Sequence, residues 1–147
     1  LNLEGQVFMK PLESPFLVAD RLLSELDPAV KVILVDFHAE ATSEKQALGV
    51  YLDGRVSGVV GTHTHVPTAD ERLLPEGTAF ITDVGMTGPY QSIIGMRSDK
   101  VLKRFLLQSR GAFEVAKRDV RLAGVVIDVD EATGKARSIE RILIEHD

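Results

Sequence analysis

Cysteine is absent from this chain of 147 residues, and its absence removes several kinds of chemistry at once. Disulfide bonds, zinc–thiolate sites and thiol nucleophiles all require the cysteine sulfur atom. Any bound metal ion must therefore take its ligands from histidine, aspartate, glutamate or asparagine side chains. A chain without cysteine also agrees with a reducing compartment.

Long apolar runs and clusters of basic residues are also missing. The longest apolar runs, such as residues 32–35 and 124–127, are far shorter than the roughly 20 residues that cross a bilayer. Residues 1–20 lack the basic-then-apolar order of a signal peptide. Because the net charge is −5 and no lysine or arginine cluster stands out, we expect neither membrane association nor stable binding to duplex nucleic acid. These absences predict a soluble, cytoplasmic protein.

The chain has enough residues for one ordinary domain, and 44% of them are apolar, which is typical of a globular protein. It opens with LNLEGQVFMK, which is strand-like sequence without an initiator methionine. We therefore expect residues 1–147 to be part of a longer polypeptide.

Two buried strands with a helix between them form the centre of the predicted fold. Residues 30–38 (VKVILVDFH) and 55–61 (RVSGVVG) are short apolar runs rich in β-branched residues, and residues 42–52 have helical periodicity. Ser43 and Gln46 have the spacing of a capping box at the start of that helix. The stripe expected to face inward consists of Ala47, Leu48, Tyr51 and Leu52. A strand–helix–strand unit joins parallel neighbours, so the sequence predicts an α/β fold.

Further elements are predicted on both sides of this unit. Ser14, followed by proline, marks one helix start, and Ser98 is expected to cap another helix. Short strands are expected in residues 70–74 and 78–85. Residues 121–147 alternate polar and apolar residues around a glycine-containing turn, which predicts a β-hairpin. The predicted architecture is a mixed sheet with a terminal β-hairpin.

Three of the four histidines follow the two central strands directly. His38 ends the first strand, and His63 and His65 come after the second. The carboxyl ends of parallel neighbours lie at one edge of a sheet, so all three imidazoles should emerge together. In an extended segment, side chains two residues apart face the same side. His63 and His65 would then face one cavity, and Thr64 would face away from it. Imidazole suits zinc, manganese or iron, so the pattern predicts a metal site.

Carboxylates near these histidines are candidates for holding the rings in place. A ligating histidine usually needs a partner on its second ring nitrogen, which fixes the tautomer. Asp36, Glu40 and Asp83 are the candidates for this role. The alternative is that the His-x-His pair lies in a surface loop with no ligand, which is the commoner state of such a pair. His146, next to the C-terminus, is expected to be a solvated tail residue.

Three longer blocks carry a resemblance to a known family. They are DFHAEATSEK, GTHTHVPTAD and ITDVGMTGP, and they are far more specific than His-x-His alone. Through them the sequence resembles the YmdB-like branch of the calcineurin-type metallophosphoesterases over nearly all of its length. The resemblance implies an αββα sandwich that holds two divalent or trivalent metal ions, usually iron or manganese, bridged by a hydroxide. It also implies that this hydroxide hydrolyses phosphodiester bonds, with 2′,3′-cyclic nucleotides as the associated substrates.

The same resemblance assigns roles to the histidines. It places His38 and His63 on one ion and His65 on the other. The family's remaining Asp, Glu and Asn ligands, and an Asn-His pair near the leaving group, belong to an upstream stretch that this sequence does not contain. Three neutral imidazoles cannot hold two such ions alone, because no anionic ligand offsets the repulsion between the ions. Residues 1–147 are therefore expected to be the C-terminal part of a single metallophosphoesterase domain, with an incomplete active site and no general acid of its own.

Two alternative functions stay open at this point. In the first, His38, His63 and His65 surround one zinc ion with an open water position, as in mononuclear zinc hydrolases. In the second, the chain is a non-catalytic module in which the histidines only fix loops and the surface serves association. A homo-oligomer also stays open, because the loop of residues 86–96 could contact a neighbouring subunit or close one side of the pocket.

Overall fold

The computed structural model describes residues 1–10, 12–108 and 111–146, which form strands and helices. The strands are β1 (Asn2–Glu4), β2 (Leu34–His38), β3 (Gly58–Thr62), β4 (Arg72–Leu73), β5 (Ala79–Ile81), β6 (Gly88–Pro89), β7 (Val120–Val129) and β8 (Ala136–Glu145). The helices are α1 (Pro15–Glu25), α2 (Thr42–Tyr51) and α3 (Ser98–Leu107). No helix in this described part of the chain is long and apolar enough to cross a membrane. The predicted α/β class is confirmed.

Five strands form a mixed sheet in the order β1-β2-β3-β5-β4. The first four in this order are parallel, and β4 runs antiparallel to β5. Helix α2 connects β2 to β3, so the predicted crossover between parallel neighbours is confirmed. In the register, Leu34 is paired with Gly58 and His38 with Thr62, which brings the ends of the two strands level at the carboxyl edge. The loops that carry the candidate histidines leave the sheet at this edge.

A second sheet, with the order β6-β7-β8, is antiparallel. Strands β7 and β8 form the predicted terminal hairpin, with Arg121 opposite Glu145 at one end. Gly134 (φ 76°) lets the hairpin turn approach the segment before β2, since a β-carbon there would lie 2.2 Å from the carbonyl oxygen of Lys31. Strand β8 lies against β4 and β5, so the two sheets are in contact. The mixed sheet and the hairpin are confirmed, while the αββα sandwich stays a prediction.

The apolar core lies between the five-stranded sheet and helices α1 and α2. Its buried side chains include Val35, Phe37, Leu48, Leu52 and Phe80. Helix α2 comes close to β5 because residue 49 is glycine: a β-carbon there would lie 2.5 Å from the ring of Phe80. Such close packing leaves little freedom for the helix to shift, so it also fixes the side chains that α2 sends to the carboxyl edge of the sheet.

The starts of two helices differ from the prediction. Helix α2 begins at Thr42 with Ala41 at the N-cap, and no side chain caps it. Ser43 therefore lies inside the first turn, and the predicted capping box is wrong. Arg97, and not Ser98, occupies the N-cap of α3. Ser14 does occupy the N-cap of α1, so a hydroxyl near a helix start locates the boundary to within one or two residues.

The buried face of α2 also differs from the prediction. Ala47 and Tyr51 are exposed, whereas Glu44 and Lys45 are buried. Glu44 accepts hydrogen bonds from backbone N–H groups of the loop after β1, and Lys45 forms an ion pair with Asp83. Leu48 and Leu52 are buried as predicted, and charged groups are buried only where partners satisfy them, so these contacts explain why Glu44 and Lys45 share the buried face. The first turn of α2 therefore belongs to the polar edge of the sheet.

Candidate functional site

Two imidazole rings meet at the carboxyl edge of the mixed sheet. His38 is the last residue of β2, and His63 is the first residue after β3. The Nε2 atom of His38 lies 3.0 Å from the Nδ1 atom of His63, and the ring centroids are 4.7 Å apart with an interplanar angle of 90°. The contact follows from the strand order, because the parallel register brings both strand ends level.

Thr62 and Asp36 determine which nitrogen of His38 carries the proton. The hydroxyl of Thr62 donates to Oδ1 of Asp36 over 2.8 Å, and Thr62 Oγ1 lies 3.1 Å from Nδ1 of His38. A hydroxyl has one hydrogen, so once it is given to the carboxylate the oxygen can only accept from the ring. Nδ1 of His38 therefore carries the proton, and Nε2 presents a lone pair. A metal-ligating imidazole needs this state.

His63 lies between two acceptors. Its Nδ1 faces the lone pair of His38, and its Nε2 lies 2.9 Å from Oε2 of Glu40. Both ring nitrogens thus face electron-rich atoms, so the cluster calls for positive charge at His63. A bound cation would supply that charge. The side chain of His63 is 33% exposed and that of Glu40 is 49% exposed, which leaves this position accessible from solvent.

His65 has a different partner. Its Nδ1 lies 3.0 Å from the carbonyl oxygen of Ile94, in the loop before α3. A carbonyl oxygen only accepts hydrogen bonds, so Nδ1 carries the proton and Nε2 has the lone pair, as in His38. Among the hydrogen bonds of the described residues, none joins His65 to His38 or His63.

The backbone around the His-x-His pair is not extended. His63 has φ 102° and His65 has φ 66°, so both lie in the left-handed region that residues with a β-carbon rarely adopt. The expectation of an extended loop is therefore wrong, while the expectation that both rings face one cavity stays a prediction. A polar anchor on Thr64 accounts for the difference, since it holds the loop in a bend.

That anchor is Asp83, which follows β5. Its Oδ2 atom accepts the backbone N–H of Thr64 over 3.0 Å and the hydroxyl of Thr64 over 2.7 Å. The ammonium nitrogen of Lys45 lies 2.7 Å from the same oxygen, and both charged side chains are 1% exposed. Asp83 therefore acts on the backbone of the loop; within the described residues, none of its hydrogen bonds reaches a histidine ring.

Asp70 fastens the far end of the same loop. Its carboxylate accepts hydrogen bonds from the hydroxyl of Thr68, from the backbone and hydroxyl of Thr82, and from Arg72. Burial alone would raise the pKa of Asp70, but these hydrogen bonds outweigh it, so the pKa lies below its ordinary value. Arg141 of β8 donates to the carbonyl oxygen of Thr68 over 3.2 Å, which ties the second sheet to the loop.

Sequence reasoning missed Lys45, Thr62 and Asp70 as parts of the site. One usable signal is the position of Lys45, three residues before Leu48 on the inner side of α2, where a lysine needs a charged partner. Thr62 and Asp70 offer no such signal, because hydroxyls and carboxylates are common in loops. Their partners become visible only once the chain is folded.

The donor atoms fit part of a metal site. His38 and His65 each present a lone pair on Nε2, and Glu40 adds a negative charge beside His63. Among the described residues, however, no three His, Asp or Glu side chains form a group that could hold a metal ion by themselves. The arrangement therefore suits an ion only if further ligands are added.

Comparison with known proteins identifies relatives along the whole chain. The family model described as YmdB-like protein matches residues 1–142. A protein of Bacillus subtilis (strain 168) named 2′,3′-cyclic-nucleotide 2′-phosphodiesterase is 58% identical over 147 residues, which is 100% of this chain and 56% of that protein.

Two crystal structures have the same fold. A hypothetical protein from Thermus thermophilus superimposes with a TM-score of 0.93 at 45% identity, covering 100% of this chain and 57% of that one. A phosphatase from Mycoplasma pneumoniae superimposes with a TM-score of 0.90 at 44% identity, covering 99% of this chain and 52% of that one. The chain thus spans about half the length of the relatives that it matches. The resemblance seen in the sequence blocks is confirmed by the family match: this chain belongs to the YmdB-like protein family.

Proposed function

We propose that the full-length protein is a metal-dependent phosphodiesterase that hydrolyses 2′,3′-cyclic nucleotides. The observation that carries the proposal is the contact of His38 with His63 at the carboxyl edge, with the lone pair of His38 held on Nε2 by Thr62. The name of the Bacillus subtilis relative, at 58% identity, supports the choice of substrate.

We further propose that His38 and His63 bind one ion, that His65 binds a second, and that the ions are iron or manganese. Two bound ions would supply positive charge for the phosphoryl oxygens and lower the pKa of a water molecule. The anionic ligands would then come from parts of the full-length protein outside residues 1–147. Residues 1–147 are accordingly the C-terminal part of a single metallophosphoesterase domain of the sandwich type, with an incomplete active site.

The residues of this chain have defined tasks in that proposal. Thr62 and the carbonyl oxygen of Ile94 keep the protons of His38 and His65 on Nδ1, which leaves the lone pair of each ring on Nε2. Glu40 orients His63 through its Nε2 atom. Because the chain has a net charge of −5, an anionic phosphate needs a local positive field, and this histidine edge is where the proposal places it.

Metal content and turnover of the full-length protein test the proposal. His38→Ala and His63→Ala should each reduce bound metal and should lower the turnover of a 2′,3′-cyclic nucleotide by more than about 100-fold. Losing a residue that only orients a ligand already costs about 10- to 100-fold, and loss of a ligand should cost more. His146→Ala is the matched control, because this histidine follows β8 and is exposed.

The outcomes separate the competing functions. Two iron or manganese ions per wild-type chain support the proposal, whereas one zinc ion per chain would favour the mononuclear alternative. If His63→Ala changed only the stability of the protein and left metal content and turnover intact, the chain would be a non-catalytic association module.

A further inference from the structure

The loop after β1 displays an aromatic ring to solvent. Phe8 is 89% exposed, although a phenylalanine is an apolar residue that usually lies inside a protein. Its φ angle is 62°, in the left-handed region, where a bulky residue is a genuine outlier. Such a conformation persists only where the surrounding structure holds it, and such residues cluster at ligand-binding sites.

Buried contacts hold the loop in this conformation. The carboxylate of Glu44, in the first turn of α2, accepts the backbone N–H of Gln6 over 2.9 Å and that of Val7 over 3.2 Å. Residue 5 is glycine, and a β-carbon there would lie 2.6 Å from both Ala39 and Glu44, so the loop packs tightly on the helix start. The ring of Phe8 is therefore presented by a fixed turn.

The ring shares an open groove with the candidate metal site. The groove has a volume of about 600 Å³ and is lined by Glu4, Phe8, Met9, Lys10 and His63. A volume of this order is typical of sites for small molecules. Lys10 can place positive charge along it, and the groove connects His63 to the aromatic ring.

We propose that Phe8 is the stacking platform for the base of the nucleotide substrate, an inference that rests on the proposed phosphodiesterase function. An aromatic face stacks on any nucleobase, because every base has a π-face. A nucleotide whose phosphate lies at His63 can extend along the groove and bring its base to Phe8. A base stacked on the ring would explain both the exposure of Phe8 and the strained backbone that presents it.

Two substrates of the full-length protein test this inference: adenosine 2′,3′-cyclic phosphate and ribose 2′,3′-cyclic phosphate, which lacks the base. Phe8→Leu keeps an apolar side chain and the same backbone constraint, but it removes the π-face. We expect it to raise KM for the adenosine compound by about 5- to 150-fold, the range found when an aromatic residue that stacks on a base is removed. KM for the ribose compound and kcat for both should not change.

Two further variants serve as controls. Phe8→Trp restores an aromatic face and should restore KM for the adenosine compound. Phe105→Leu changes another exposed phenylalanine, on α3, and should affect neither substrate. If Phe8→Leu altered both substrates equally, or lowered only the melting temperature, the ring would pack against other polypeptide and the inference would be overturned.

A binding measurement separates this inference from the proposed function. If the wild-type protein hydrolysed neither compound, the proposed function would fail, and equilibrium dialysis with AMP would then decide the role of Phe8. Binding of AMP that is weakened by Phe8→Leu and kept by Phe8→Trp would support the platform. Absence of AMP binding, or equal binding by all three proteins, would overturn it.

Discussion

The hydroxyl group of Thr62 lies between the carboxylate of Asp36 and the ring of His38, and it has one hydrogen to give. Because that hydrogen goes to Asp36, the ring must donate from Nδ1 and keep its lone pair on Nε2. An uncharged side chain thus determines which nitrogen of His38 is able to bind a metal ion.

Thr62→Val removes this hydroxyl and nearly keeps the shape of the side chain. We expect the affinity of the full-length protein for manganese to fall by about 10- to 100-fold, as is typical when a partner of a ligating histidine is lost. Equilibrium metal titration measures the affinity, and nitrogen NMR of the imidazole rings reports the tautomer. Thr62→Ser keeps the hydroxyl and is the control. Unchanged affinity and tautomer in Thr62→Val would contradict the role given to this residue.

The loop after β3 depends on other elements for its conformation. Lys45 belongs to α2 and Asp83 follows β5, and the two form a buried ion pair. The carboxylate of Asp83 also accepts two hydrogen bonds from Thr64. On either side of Thr64, the backbones of His63 and His65 have positive φ angles. We infer that the anchor on Thr64 keeps the loop in this strained conformation and so positions both rings.

Asp83→Ala should lower the free energy of unfolding by about 3–5 kcal/mol, because it leaves the ammonium group of Lys45 buried without its partner. Urea denaturation measures this change. The double variant Lys45→Met/Asp83→Leu has no buried charge and should recover most of the stability. Its affinity for manganese should stay below that of the wild type, because Thr64 still lacks its anchor. A double variant that recovers both properties would mean that the ion pair serves stability alone.

Ionised carboxylates stabilise the molecule as a whole. Several have pKa values below their ordinary range because hydrogen bonds from partners favour the charged form, against the effect of burial in the case of Asp70. The others and their main partners are Asp20 with Tyr51, Asp99 with Arg97, Glu114 with Lys100, and Asp130 with Arg137. Asp20 and Asp99 lie on helices α1 and α3, and the other three lie in loops, so acid affects several separate parts of the fold.

We expect the stability of the protein to fall as the pH drops below about 4, the ordinary pKa of aspartate. A carboxyl group with a lowered pKa in the folded state stabilises the fold above its unfolded pKa, and this contribution is lost as the pH falls through the folded value. Denaturation curves at a series of pH values measure the effect. Asp70→Asn should be less stable than the wild type at neutral pH and should lose less stability in acid. A wild-type protein whose stability stayed constant down to about pH 2 would refute this expectation, because that pH lies well below the ordinary pKa of aspartate.

Features that depend on local sequence patterns could be predicted, and features that depend on contacts between distant residues could not. The neighbouring positions of His38 and His63 follow from the rule that a strand–helix–strand unit forms parallel neighbours, and the hairpin follows from local alternation around a turn. The buried face of α2 could not be predicted in this way. Glu44 and Lys45 are buried by partners 38 residues away in the chain, and no local pattern encodes such a contact.

The sequence by itself determined the α/β class, the strand order around β2 and β3, and the two strand ends that carry the histidines, because these depend on periodicity and on the handedness of short connections. Only the tertiary structure decided the proton positions on the rings, the left-handed backbone of His63 and His65, and the burial of Lys45 with Asp83. These features depend on hydrogen-bond partners and on exclusion of water, and both arise only when distant segments of the chain come together.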